Sequence, residues 1–244
     1  MYERSVPEPD YRASPFPLTR WTLVLDAQEE DPEALAALCR DYWFPLYCFA
    51  RRLRGNEEDA EDLTQGFFER LLNKGTLGHA RSERGKLRTF LLKSFQNFAV
   101  DEHRRDHSRK RGGGVEHVHI DQLEVAQRLA LEPRDELTPE LEFDRAWARQ
   151  LMAQVLERLR DAYEGAGKGD EFDSLSGQLV AGGDHRPYVE IAERLKVSEA
   201  SVRVRAFKLR ARYREMLKGA IAETVAEPDE IEDELQHLRD VFGN

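Results

Sequence analysis

The chain has 244 residues, of which 40% are hydrophobic and 34% charged, enough for one large or two small helical domains with polar connections. No apolar run approaches a membrane span and no basic-then-apolar leader opens the chain, so membrane insertion is not expected and a cytoplasmic location is the default. A net charge of −10 argues against a protein that coats nucleic acid indiscriminately. Cys39 and Cys48 fall on opposite faces of one expected helix, which predicts buried thiols and not a disulfide.

Residues 1–18 hold Pro7, Pro9, Pro15 and Pro17 and read as a flexible extension. Thr19 is positioned to cap a short helix that turns Trp21, Val24 and Leu25 inward. Asp31 followed by Pro32 is a strong helix start, since proline at the first helical position has no N–H to leave unpaired. That helix runs to about Leu53 with Leu35, Leu38, Cys39, Tyr42, Leu46 and Phe49 inward, bends at Pro45 and ends at Gly55. Asn56 caps the next helix, with Asp59 three positions on. Its buried stripe is Ala60, Leu63, Phe67 and Leu71. Glu58, Asp62, Gln65 and Glu69, spaced 4, 3 and 4, form an exposed polar ridge at a helix start that favours carboxylates. Such a ridge serves solubility, or docks a basic protein surface; it would repel DNA.

Glycines at 75, 78 and 85 mark a loop. A helix then carries Leu87, Phe90, Leu91, Phe95 and Phe98 to about Arg105, followed by the basic run Arg104, Arg105, Arg109, Lys110 and Arg111. Part of that charge suits a helix C-terminus on its own; its density beside aromatic residues suits an unstacked base. From Glu116 to Asp144 nine acidic residues face two basic ones, a linker with one short helix near 122–131. It is either a shield for basic surfaces or a plain solvated connector.

Thr138 and Pro139 repeat the cap-and-proline signal. Leu141, Trp147, Leu151, Val155 and Leu159 follow at helical period, with Trp147 as expected anchor of a second domain. After glycines at 165, 167 and 169, Asp170 caps a helix through Phe172, Leu175 and Leu179. Residues 188–214 then read as a helix-turn-helix. Tyr188, Ile191, Ala192 and Leu195 line the first helix, and Ser198 caps the second. Val202, Ala206, Leu209 and Tyr213 form its inward stripe. Between Ser198 and Lys218 stand seven basic and two acidic residues, a local positive footprint on an acidic chain that suits a phosphate backbone; arginines also flank ordinary solvated helices. The tail, Glu223 to Asp240, sets eight carboxylates against Arg239, and its thin stripe of Ile231, Leu235 and Leu238 suits folding back on the Arg-rich helix or on a partner.

Catalytic and metal-site constellations are absent. His103 and His107 lie four apart but have no third ligand and sit in a basic run; His117 and His119 suggest nothing specific. Gly112–Gly114 is not followed by a phosphate-loop Lys-Ser/Thr. No cofactor, metal or enzymatic activity is expected.

Segments 59–72, DAEDLTQGFFERLL, and 86–105, KLRTFLLKSFQNFAVDEHRR, resemble regions 2.2 and 2.3–2.4 of the sigma-70 family, in its extracytoplasmic-function (ECF) branch, and 188–214 resembles its region 4.2. The resemblance implies an all-α protein of two small helical domains: an extension at 1–18, a region 2-like domain at 19–111, an acidic linker at 112–137, a region 4-like domain at 138–222 and a tail at 223–244. It implies a promoter-specificity subunit that binds core RNA polymerase and promoter DNA, with the β′ coiled coil and β flap as docking points and room for an anti-sigma factor. By position, polymerase contacts fall on Asp59, Asp62, Gln65 and Glu69. Contacts to −10 DNA fall on Lys93, Asn97, Asp101, Arg104, Arg105 and Arg109, and contacts to −35 DNA on Ser198, Ser201, Arg203, Arg205, Lys208 and Arg212.

Gly66 stands where the family more often has an acidic residue and weakens its helix by up to about 1 kcal/mol relative to Ala. The segment 160–187 and the acidic tail are longer than usual. If the tail masks the DNA-binding helix, truncation at Ala222 strengthens promoter binding. The alternatives are a stand-alone helix-turn-helix repressor or activator, which would bind duplex tightly without polymerase, and a protein-interaction anti-regulator, which would bind no DNA.

Overall fold

The structure, a computed structural model, describes residues 32–73, 86–109, 138–179, 186–225 and 227–243. The expected helix at 19–25, the Asp31 cap, the glycine loop and the linker with its short helix lie outside the described residues. The elements are α1 (Pro32–Arg54), α2 (Glu57–Asn73), α3 (Leu87–Arg109), α4 (Pro139–Gly165), α5 (Gly169–Leu175) with a 3-10 turn (Ser176–Gln178), α6 (Tyr188–Leu195), α7 (Glu199–Ala222) and α8 (Glu230–Gly243). All regular structure among the described residues is helical, and the protein is all-α.

Local chemistry sets several of the helix ends. Gly55 takes φ +82° and donates to Arg51 O at 3.1 Å, closing α1 in a conformation that only glycine adopts without a side-chain penalty. Asn56 then caps α2 reciprocally. Its Oδ1 accepts from the Asp59 N–H at 2.8 Å, and its Nδ2 donates to Asp59 Oδ2 at 2.7 Å. Thr138 Oγ1 accepts from the Leu141 N–H at 3.2 Å, as the cap-and-proline signal predicts. α1 continues through Pro45, and α3 runs four residues past the expected end at Arg105, to Arg109. Asp170 does not cap α5. Lys168 holds that position with no side-chain bond, because the helix already begins at Gly169.

Contacts divide the described residues into two units: those within Leu18–Gln150 and Ile221–Asn244, and those within Leu151–Ala220. Phe67 of α2 organises the aromatic core of the first unit. Its ring stands edge-on to Phe95 at 5.1 Å and to Phe98 at 5.8 Å, and Phe49 meets Phe95 edge-on at 5.7 Å, arrangements worth about 1 kcal/mol each beyond area burial. Cys39 is half-buried and Cys48 buried, and neither forms a disulfide.

Two expectations are corrected in this unit. Trp147 belongs to the first unit, not to the one that carries the helix-turn-helix; it is buried beneath the Arg88 guanidinium, 5.2 Å from the ring centroid. The tail, expected to lie on the Arg-rich helix or a partner, forms α8 and finds its partners in the first unit. Val225, Leu238 and Val241 are buried. The Leu87 N–H donates to Thr224 O at 3.1 Å, and Arg145 Nε donates to Val241 O at 3.3 Å.

The reason is a buried ion cluster. Arg88 donates from Nε and Nη2 to the two oxygens of Glu234 at 2.7 and 3.0 Å, and from Nη1 to Asp144 Oδ1 at 2.7 Å. Lys86 Nζ reaches Glu234 Oε1 at 2.5 Å. Burial by itself raises the Glu234 pKa, but bonds to Arg88 and Lys86 outweigh it and hold the carboxyl below the ordinary carboxylate range. Glu234 has no exposed surface, so its charge is sustained only by these cations.

Candidate functional site

Each unit presents exposed polar surface suited to a partner. In the first, α2 buries Ala60, Leu63, Phe67 and Leu71, which turns the opposite ridge outward. Glu58, Asp59 and Glu69 are exposed, and Asp62 and Gln65 are half-exposed. The ridge is ordered by its own bonds: Asp59 is held by the Asn56 cap, and Gln65 Nε2 donates to Glu69 Oε1 at 3.1 Å. This fixes a carboxylate-and-amide edge on a rigid helix, suited to donors on a partner.

α3 lies against α2 through Phe98. A Cβ on Gly66 would come within 3.3 Å of Phe98 Cζ, so the missing side chain makes room for that ring. Arg70 adds a second tie, with its guanidinium 5.6 Å from the Phe98 centroid and Nη1 donating to Asp101 Oδ2 at 3.1 Å. Lys93, Asn97, Val100 and Arg104 follow one another at spacings of 4, 3 and 4 and are all exposed. Arg105 is exposed and paired with Glu102. Asp101, by contrast, is turned to Arg70. The Arg109 side chain lies outside the described residues, although its backbone ends α3.

In the second unit, Leu159 and Tyr163 of α4 and Phe172 and Leu175 of α5 pack with Ile191 and Ala192 of α6 and Val202, Ala206 and Leu209 of α7 in one core. Tyr188, Leu195, Val197 and Tyr213 lie partly buried against it. Lys196 makes the turn in the left-handed conformation, φ 55°, and Val197 donates to Ala192 O at 3.0 Å, which closes the end of α6. Ser198 Oγ accepts from the Ser201 N–H at 3.2 Å, the cap that the sequence predicts for α7. The pair is a helix-turn-helix with its stripe inward.

The basic residues of α7 are less uniformly available than their positions suggest. Arg205 Nη1 donates to Glu171 Oε2 of α5 at 2.5 Å. Arg203 Nη2 donates to Glu199 Oε1 at 2.6 Å, with the guanidinium 5.6 Å from the Tyr188 centroid. Arg212 pairs with Glu215 at 2.8 Å, and Arg210 Nη2 donates to the Tyr188 hydroxyl at 2.7 Å. Arg203 and Lys208 are exposed and Arg205 and Arg212 half-exposed. Exposed ion pairs of this kind contribute about 0–1 kcal/mol, so Arg203 exchanges its partner for phosphate at little cost. Arg210, which the site assignment passed over, ties α6 to α7. Sequence spacing gave no sign of its phenol partner.

Among the described residues, no group of three His, Cys, Asp or Glu side chains is close enough to hold a metal ion, and no helix is long and apolar enough to cross a membrane.

The described residues are all helical, with a helix-turn-helix whose second helix is rich in basic residues in one unit and an exposed acidic ridge in the other. The family model of the ECF sigma factors matches residues 21–219, and the chain belongs to that family. Its role is RNA-polymerase-directed transcription initiation, and its partner is core RNA polymerase. Neither a curated protein nor a solved structure matches the chain.

Proposed function

We propose that this sigma factor docks on the β′ coiled coil of the polymerase through the α2 ridge of Asp59, Asp62, Gln65 and Glu69. The exposed edge of α3 then receives unstacked −10 DNA, and α7 enters the major groove of the −35 element. The carrying observation is the ridge itself: Asp62 and Gln65 lie at the surface, on the opposite side of α2 from the aromatic core. On α3, Lys93, Asn97 and Arg104 offer donors along one exposed line, and Arg105 and Arg109 extend the positive charge. Asp101 serves this surface by holding Arg70 rather than by touching DNA. On α7, Arg203, Lys208 and Arg212 supply phosphate contacts, whereas Arg205, assigned by position to the same DNA, is held by Glu171 of α5. Ser201 stands in the first turn, and Ser198 keeps that turn in place. The β flap takes neighbouring surface of the same unit. The reading assigns no surface to an anti-sigma factor.

Purified protein with core polymerase on a panel of promoter fragments tests the reading. Asp62→Ala and Gln65→Ala, which alter surface residues only, are expected to reduce polymerase-dependent initiation at least tenfold while leaving the melting temperature in place. Full initiation by both variants would remove the ridge as the docking edge. Tight duplex binding by the protein alone, indifferent to these changes, would favour a stand-alone repressor.

A further inference from the structure

We infer that α7 selects thymine by apolar contact: Val204 and Phe207 meet C5-methyl groups in the major groove of the −35 element. The inference rests on the −35 reading above and adds the base chemistry to which that reading commits.

Ala200, Val204, Phe207 and Ala211 are spaced 4, 3 and 4 along α7 and are all exposed, directly opposite the buried stripe of Val202, Ala206 and Leu209. Val204 is 55% and Phe207 68% exposed, the two highest values among the exposed large apolar side chains of the described residues. The centre of the outward face therefore carries methyl and phenyl groups, with no hydrogen-bond donor that would read guanine. The donors stand at its margins: Arg203 and Arg214 on one side and Lys208 on the other, all exposed.

An apolar line between cations fits a polyanion whose groove floor carries hydrocarbon. The major groove, about 12 Å wide, admits a helix, and the thymine methyl is the apolar group displayed there. In a helix-turn-helix, the first turns of the second helix approach the bases; Val204 and Phe207 lie in the first three turns of Glu199–Ala222. The cations then fall on the two phosphate walls. Arg205 has turned instead toward Glu171 of α5, which leaves the middle of the helix to its apolar groups. A protein surface would bury the same stripe without needing positive charge on both flanks.

The test uses the full chain with core polymerase and duplexes selected from a pool randomised over the −35 region. Selected duplexes are resynthesised with deoxyuridine in place of each thymine, which deletes single methyl groups and leaves the protein untouched. Removing one contacted methyl is expected to weaken binding roughly fourfold, the effect of returning a methyl-sized group to water. Phe207→Ala and Val204→Ala should cancel that penalty, so that each variant binds the thymine and deoxyuridine duplexes equally. Equal binding of thymine and deoxyuridine duplexes by the parent overturns the inference and leaves promoter recognition standing. Equal weakening of both duplexes by Phe207→Ala, with loss of core-polymerase binding, overturns it in favour of a polymerase contact. Absence of polymerase-dependent binding to any selected duplex sinks the underlying reading as well.

Discussion

Gly66 shows how one residue answers to two demands. As a helix-interior glycine it gives up about 1 kcal/mol relative to alanine, and from sequence it looks like a defect in α2. The Phe98 ring supplies the reason, since a Cβ would meet its edge at 3.3 Å. That ring is also held by Phe67 and covered by Arg70, so it has little freedom to withdraw. Overpacking of this kind costs about 1–3 kcal/mol and outweighs the helix gain. Gly66→Ala is therefore expected to lower stability by about 1 kcal/mol in denaturant unfolding. A gain of similar size would show that the ring yields and that only propensity counts here. Lys196 makes the opposite bargain: a non-glycine residue occupies the left-handed turn, where its Cβ is disfavoured, and the bonds that close α6 hold it there.

At the scale of elements, α8 is attached by charge as much as by apolar burial. Glu234 faces Arg88 and Lys86, while Asp144 on α4 pairs with Arg88 and has His237 Nε2 at 3.1 Å from its other oxygen. Because the folded-state pKa of Glu234 lies below its unfolded value, its contribution to stability is complete above the ordinary carboxylate range. It is lost as pH falls through the lower, folded-state value. Glu234→Gln is expected to cost about 3 kcal/mol at neutral pH, since Arg88 keeps only Asp144 as a charged partner. The variant should also flatten the acid limb of the stability profile. Hydrogen exchange of the α8 amides against pH measures both effects. A variant with the parent's acid limb would mean that Glu234 is not the group whose protonation releases the helix.

For the whole molecule, this attachment changes what the tail is expected to do. Masking of the Arg-rich helix predicts tighter promoter binding after truncation at Ala222. The observed burial of Val225, Leu238 and Val241, together with the Arg88–Glu234 pair, makes α8 part of the unit that carries the α2 ridge. Each fully buried aliphatic side chain is worth about 1.5–3 kcal/mol, so truncation should destabilise that unit by several kcal/mol and leave promoter affinity at fixed salt no higher than before. A truncated protein that melts with the parent and binds promoter more tightly would restore the masking account. The ECF assignment itself depends on neither outcome, because the family match ends at residue 219.

What could be read directly from the chain was whatever depends on neighbours within a turn or two. The Asn56 and Ser198 caps, the glycine stop at 55, the inward stripes of α2 and α7 and the helix-turn-helix all follow from spacings of three and four residues, because a helix repeats every 3.6. The motifs that carry the ECF resemblance lie within the same local windows. Partners distant in sequence were decided only by folding. Arg88 meets a carboxylate 146 positions away, Arg205 meets one 34 positions away, and Trp147 takes its place in the unit of α1–α3. Periodicity shows that a side chain is apolar or charged on a given face; only the closed chain brings the group that satisfies it, since bringing distant residues together is an outcome of packing and leaves no repeat in the sequence.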